Sequence, residues 1–161
     1  MHLTAKADYA VRALVELASS PQQSAKAEAV AAAQAIPGKV LEAVLGELRR
    51  GGLVQSRRGP DGGYWLARPA SQISIADVIR TIDGPLASVR GERPEDVSYS
   101  GSAAPLRHVW VAVRVNMRAV LEQVSIEDIA TNQLPEFVDQ LTIEPQAWRR
   151  RPAPSVDSSS M

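Results

Sequence analysis

The stretch "LRRGGLVQSRRGPDGGYWLARP", Leu48 to Pro69, decides the fold. Inside it Leu53-Val54-Gln55-Ser56-Arg57-Arg58 predicts a strand, Gly59 to Gly63 a turn, and Tyr64-Trp65-Leu66-Ala67-Arg68 the returning strand. Three readings compete: a phosphate-binding loop, an ordinary surface hairpin, or a hairpin that reaches into a groove of DNA. A phosphate loop needs Gly-Lys-Ser/Thr running straight into a helix, and neither is present. The choice between the two hairpins rests on what precedes them.

Upstream lie three predicted helices. Thr4 caps the first, through about Ala18, with Asp8 near its positive end and Ala10, Val11, Leu14, Leu17 and Ala18 at helical spacing. Ser24 opens a short alanine-rich helix to about Gln34, buried through Ala27, Val30 and Ala31. After Ala35-Ile36, Pro37 takes the first position of a third helix that runs to Arg50 and stops at Gly51-Gly52. Leu41, Val44, Leu45 and Leu48 form its core stripe, and Lys39, Ala43, Gly46 and Arg50 its opposite face. Gly46 costs about 0.5–1 kcal/mol relative to alanine there. Either it lets the helix lie close to a surface such as a phosphate backbone, or it is merely tolerated near the helix end. A short helix, a tight connector and a second helix with a cationic outer face outline a helix-turn-helix. A hairpin directly after it is the order of a winged helix.

In a wing, glycines at 59, 62 and 63 permit positive φ and leave no bulk against a groove wall. Arg57 and Arg58 alternate across the strand, so one points outward, suited to a narrow and electronegative minor groove. A solvated arginine on a plain hairpin is the competing reading.

Downstream, Ser74 with Asp77 makes a variant capping box for a helix buried through Ile75, Val78, Ile79 and Ile82, ended by Gly84-Pro85. Residues 84–104 read as a long loop or mobile segment. Pro105 begins the longest helix, to about Val124. Leu106, Trp110, Val113, Met117, Val120 and Val124 follow the 4, 3, 4, 3, 4 spacing of a coiled-coil seam, widened by Val109 and Leu121. The partner of that seam is the same helix of a second subunit or the protein's own core. Ser125 with Asp128 caps a short helix to about Asn132, and a further piece spans Glu136 to Leu141. Pro152 to Met161 has too little apolar surface to order itself.

Among 161 residues there are 18 Lys or Arg, 18 Asp or Glu, and no cysteine. Residues 1–80 hold ten cations against seven anions, and residues 81–161 eight against eleven, so the first half is the basic one. The absent cysteines exclude disulfides, thiolate nucleophiles and cysteine-ligated metal centres. With only His2 and His108, and no Gly-x-Ser-x-Gly elbow, a catalytic triad has little to draw on. Neither an enzyme nor a cofactor or metal site is expected. No signal pattern opens the chain and no segment approaches the roughly 20 apolar residues of a membrane span, so the expectation is a cytoplasmic protein without a membrane partner.

"LTAKADYAVRALVELA" (Leu3 to Ala18), the Leu48 to Pro69 stretch and "ISIADVIRTIDGPL" (Ile73 to Leu86) resemble the corresponding parts of the Rrf family of bacterial winged-helix regulators, whose members include IscR, NsrR and CymR. The resemblance covers roughly residues 1–130, and its most specific part is the wing, Arg-Gly-Pro-x-Gly-Gly-Tyr-x-Leu-Ala-Arg-Pro. It implies a mainly α fold with one small β-hairpin, and a dimeric transcription factor, usually a repressor, on double-stranded DNA. It implies base and phosphate contacts at Pro37, Lys39, Val40 and Glu42, and minor-groove insertion of Arg58. Backbone contacts fall near Lys6, Tyr9, Gly62, Gly63 and Tyr64. Val40 departs from the larger residue frequent at its position, which puts base readout there in doubt. Cluster-binding members carry three cysteines in the loop; residues 84–104 here carry none, so their iron-sulfur cluster has no ligands. An effector, small molecule or protein, is left unidentified. A scaffold of the same fold that mainly binds such a partner is the alternative function.

The expected organisation is a winged helix-turn-helix domain over 1–84, a loop over 85–104, the dimerisation helix with short C-terminal helices over 105–144, and a disordered tail over 145–161.

Overall fold

A computed structural model describes residues 2–152. Its elements are α1 (Ala5–Ser19), α2 (Ala27–Gln34), α3 (Gly38–Arg50), β1 (Val54–Arg57), β2 (Gly63–Leu66), α4 (Ile75–Asp83), α5 (Leu106–Leu121), α6 (Ile126–Ala130) and α7 (Glu136–Thr142).

The Thr4 side chain accepts from the Ala7 amide at 3.0 Å, which satisfies one of the unpaired donors of the first turn. The same hydroxyl donates to Asp83 at 2.7 Å, so the start of α1 is tied to the end of α4. Leu14 and Leu17 of α1 meet Val30 of α2, Leu41, Val44, Leu45 and Leu48 of α3, Leu53, Val54, Ile73, Val78 and Ile126 in one buried cluster. The stripe expected on α3 is wholly buried. Each such leucine is worth about 1.5–3 kcal/mol relative to an exposed one, enough to fix the rotation of α3 about its axis. With that rotation set, the opposite face must look outward.

The two helices of the helix-turn-helix are bent 118° apart across residues 35–37. Ala35 adopts the left-handed conformation (φ 51°, ψ 46°), and Ile36 turns inward. Pro37 flanks α3 at its N-cap rather than occupying the first helical position.

α2 begins two residues later than the Ser24 cap predicts, with Lys26 at its N-cap. Ala25 forms a bridge with Tyr64: its amide donates to the Tyr64 carbonyl at 3.0 Å and its carbonyl accepts from the Tyr64 amide at 2.8 Å. Tertiary pairing takes residues that local propensity offers to a helix. The wing is therefore β1 and β2, antiparallel with Val54 opposite Leu66 and Arg57 opposite Gly63, plus one bridge residue.

Ser74 and Asp77 form the expected capping box, and Ser125 and Asp128 a second one. The two stand side by side, because the Ile75 amide donates to the Val124 carbonyl and the Ile126 amide to the Ile73 carbonyl, both at 2.9 Å. This clasp returns the chain from α5 to the core. It also corrects one seam assignment: α5 ends at Leu121, and Val124, 7% exposed, belongs to the core and not to the seam.

No residue of α5 is fully buried, and Val109 and Val113 stand 51% and 45% exposed. The 84–104 segment is anchored to its own protein: Val97 is buried, and the Trp110 indole N–H donates to the Tyr99 hydroxyl at 3.0 Å. Residues 145–148, expected in the tail, form a 3₁₀ turn in which the Trp148 indole donates to the Thr142 carbonyl at 2.6 Å. The sequence from 153 onward, including most of the predicted disorder, lies outside the described residues.

Candidate nucleic-acid interface

Pro37, Lys39, Val40 and Glu42 all lie exposed along the first turns of α3, as its buried stripe requires. The first turn holds no acidic residue, so the positive end of the helix dipole is uncompensated by its own chain. Further along the same face stand Ala43, Gly46 and Arg50. A methyl group at Gly46 would meet only the Arg50 guanidinium, at 3.5 Å, so the fold itself leaves room for alanine there. Gly46→Ala should therefore stabilise the protein by about 0.5–1 kcal/mol in thermal unfolding. If a phosphate backbone lies against this face, the same variant binds DNA more weakly; a more stable variant with undiminished binding would leave the glycine merely tolerated.

At the wing, Arg57 and Arg58 are both exposed. The alternation expected of them does not operate, because β1 ends at Arg57 and Arg58 already lies outside it, immediately before the turn closed by the Gly62 amide on the Gly59 carbonyl, 2.9 Å. The glycines have reasons of their own. Gly59 sits at φ +107°; a Cβ at Gly62 would overlap the Arg57 carbonyl, and one at Gly63 would come 2.9 Å from the Ala25 carbonyl. Gly62 and Gly63 thus serve the hairpin's internal packing. Tyr64 is half-buried against the core and holds Ala25 through its backbone.

Lys6 and Tyr9, on α1, are less free. The Lys6 ammonium pairs with Glu47 of α3 at 2.7 Å. Tyr9 packs against the core with the Arg12 guanidinium 5.5 Å from its ring centroid. Asp8 pairs with Arg12 at 3.1 Å, in addition to its favourable place in the first turn.

One cleft joins these elements. It is bordered by Lys26 and Glu28 at the start of α2, Glu42 of α3, and Arg57, Gly59 and Gly62 of the wing. Among the described residues Lys26, Lys39, Arg50, Arg57 and Arg58 have no ion-pair partner. Lys26 adds to the residues singled out from the sequence, and Arg50 and Arg57, expected on the outer face of the third helix and on the hairpin, are both exposed. Their exposure follows from the helix rotation and hairpin register, which a motif does not carry.

A helix-turn-helix followed by a two-stranded wing, with free cations on α3 and the hairpin, defines a winged-helix DNA-binding regulator. The chain belongs to the Rrf2 family, described as iron-dependent transcriptional regulators, which matches residues 3–132. It is 51% identical over 142 residues to an HTH-type transcriptional regulator of Mycobacterium tuberculosis H37Rv, covering 88% of each chain. It is 33% identical over 154 residues to the HTH-type regulator IscR of Xenorhabdus nematophila, covering 94% of this chain and 92% of that one. Among solved structures it is similar to CymR, the global cysteine regulator of B. subtilis, with a TM-score of 0.70 at 28% identity over 82% of this chain and 98% of that one. The T. potens IscR structure matches with a TM-score of 0.65 at 27% identity over 82% and 88%. The protein is thus a transcriptional regulator and not an enzyme.

The family's iron dependence finds no matching donor set here. The sequence has no cysteine, and among the described residues no three His, Asp or Glu side chains are grouped to hold a metal ion. In the 84–104 segment, Glu95 is committed to Arg114. No helix is long and apolar enough to cross a membrane among the described residues.

Proposed function

We infer that the protein is a cytoplasmic homodimeric repressor that binds a two-fold symmetric operator, α3 in successive major grooves and the wings in the flanking minor grooves. The observation that carries this reading is the single cleft joining the start of α2, the exposed face of α3 and the wing, with unpaired cations around it. Pro37, Lys39, Val40 and Glu42 meet the major groove, Lys39 on phosphate and Glu42 on a cytosine amino group. Arg58 enters the minor groove. Gly62, Gly63 and Tyr64 offer backbone contacts, and Lys6 and Tyr9 reach the phosphates beside α1. Lys6 does so by exchanging Glu47 for a phosphate. The two subunits join through Leu106, Trp110, Val113, Met117 and Val120 of α5.

The test is a gel shift on the DNA upstream of the protein's own gene, over a salt series. A steep fall in affinity with salt is expected, because each neutralised phosphate releases counterions. Lys39→Ala should weaken binding to all sequences alike and flatten the logarithmic salt slope by about 1. A loss confined to one base position would contradict the phosphate role. A partner-binding scaffold would retain no specific DNA at moderate salt.

A further inference from the structure

A second cleft, of about 450 Å³, opens between α4, the 85–95 segment and α5, away from the helix-turn-helix and wing. Four arginines line it: Arg80 from α4, Arg93 from the segment, and Arg114 and Arg118 from α5. The last two lie one helical turn apart and so face the cleft together. Two carboxylates answer them. Arg114 pairs with Glu95, and Arg80 and Arg118 converge on Glu122, Arg118 at 3.0 Å. Arg93 has no ion-pair partner among the described residues, so guanidiniums outnumber carboxylates by two.

The pairing is also incomplete at the atomic level. The Arg114 side chain is 21% exposed, yet its Nε is buried and has no hydrogen-bond acceptor. A buried donor without an acceptor is costly, and proteins rarely leave one unless something else supplies it. The neighbouring guanidiniums help hold Glu122 and Glu95 below the usual carboxylate range, Glu122 through its hydrogen bonds to Arg80 and Arg118, Glu95 first through a backbone hydrogen bond and then through Arg114. Both carboxylates therefore stay charged at neutral pH, and the excess positive charge persists beside them.

We propose that this cleft is a binding site for a small organic or inorganic dianion, held by Arg93 and Arg114 with Arg80 and Arg118 at its rim. Guanidinium recognises carboxylate and phosphate alike through paired N–H donors, and the volume suits a metabolite rather than a polymer. The flanking Pro85, Leu86 and Pro94 give the cleft an apolar wall, which strengthens the attraction of the charges across it. Nothing in this site depends on the DNA-binding reading, since it shares no residue with the α3 and wing surface.

The experiment is thermal unfolding of the full-length protein without DNA, in succinate and in inorganic phosphate, each against chloride at equal ionic strength. At ten times the dissociation constant a rise of about 4 °C over chloride is expected for a chain of this size. Arg93→Gln, which breaks no ion pair, should remove at least three-quarters of that rise while leaving the melting temperature in chloride unchanged. Calorimetric titration with the same two probes distinguishes a carboxylate from a phosphate ligand, and Arg114→Gln should abolish heat from whichever binds. No rise over chloride with either probe, or an equal rise in Arg93→Gln, would overturn the site.

Discussion

Val113→Asp should leave a folded protein at half the mass of the wild type in sedimentation, with operator affinity down by at least 100-fold. Val113 is 45% exposed in the single chain, flanked along α5 by Val109 at 51%, and no residue of this helix is fully buried. Substitution there removes no core contact of the subunit, so its melting in the monomer should change little. In a dimer that closes on α5, two-fold symmetry brings the same region of both helices together, and two aspartates would be desolvated as like charges. The DNA effect follows from linkage. A dimer gains its second half-site intramolecularly, an advantage of about 10²–10⁴ that a monomer forfeits. A variant that stays dimeric would move the subunit interface elsewhere.

Arg58→Ala carries the second large effect, a loss of about 10–100-fold in operator affinity. Arg58 lies exposed between the end of β1 and the turn, among the described residues without a carboxylate partner, so it gives up nothing to reach a phosphate-lined groove. A narrow minor groove concentrates negative potential, and an arginine inserted there reads groove width rather than base identity. The loss should therefore be greatest on operators whose flanks are A·T-rich, and small where the flanks are G·C-rich. Circular dichroism should be unchanged, because the hairpin is held by Ala25, Tyr64 and the two tight glycines rather than by Arg58. An Arg58→Ala dimer that bound its operator undiminished would remove the wing from the mechanism.

The features that could be read from sequence were those with a local period or a local cap. The α3 stripe, the Thr4 cap, the Ser74 and Ser125 boxes and the β1–β2 hairpin depend on residues within a turn or two of one another. What escaped was set by pairing across distance. Ala25 looks like the first turn of α2 until Tyr64, 39 positions away, claims its amide and carbonyl. Val124 continues the heptad count, but its carbonyl is taken by Ile75 and the helix stops before it. Gly62 and Gly63 were legible as special, but the neighbours that their lack of bulk accommodates within the protein, the carbonyls of Arg57 and Ala25, were not. The interface residues on α3 were legible because a buried face defines its opposite. The arginine cleft was not, since it draws on α4, the long segment and α5 together. Its one sequence trace is the four-residue spacing of Arg114, Arg118 and Glu122.

The central claim is that two copies of this chain read DNA together through α3 and the wing. A footprint of the purified dimer on genomic fragments tests it most directly. The predicted result is a protected site with two-fold symmetry, half-sites centred about 10 base pairs apart or a multiple of that, and minor-groove protection just outside them that disappears with Arg58→Ala. Protection of a single, asymmetric half-site, or protection independent of sequence, would contradict it.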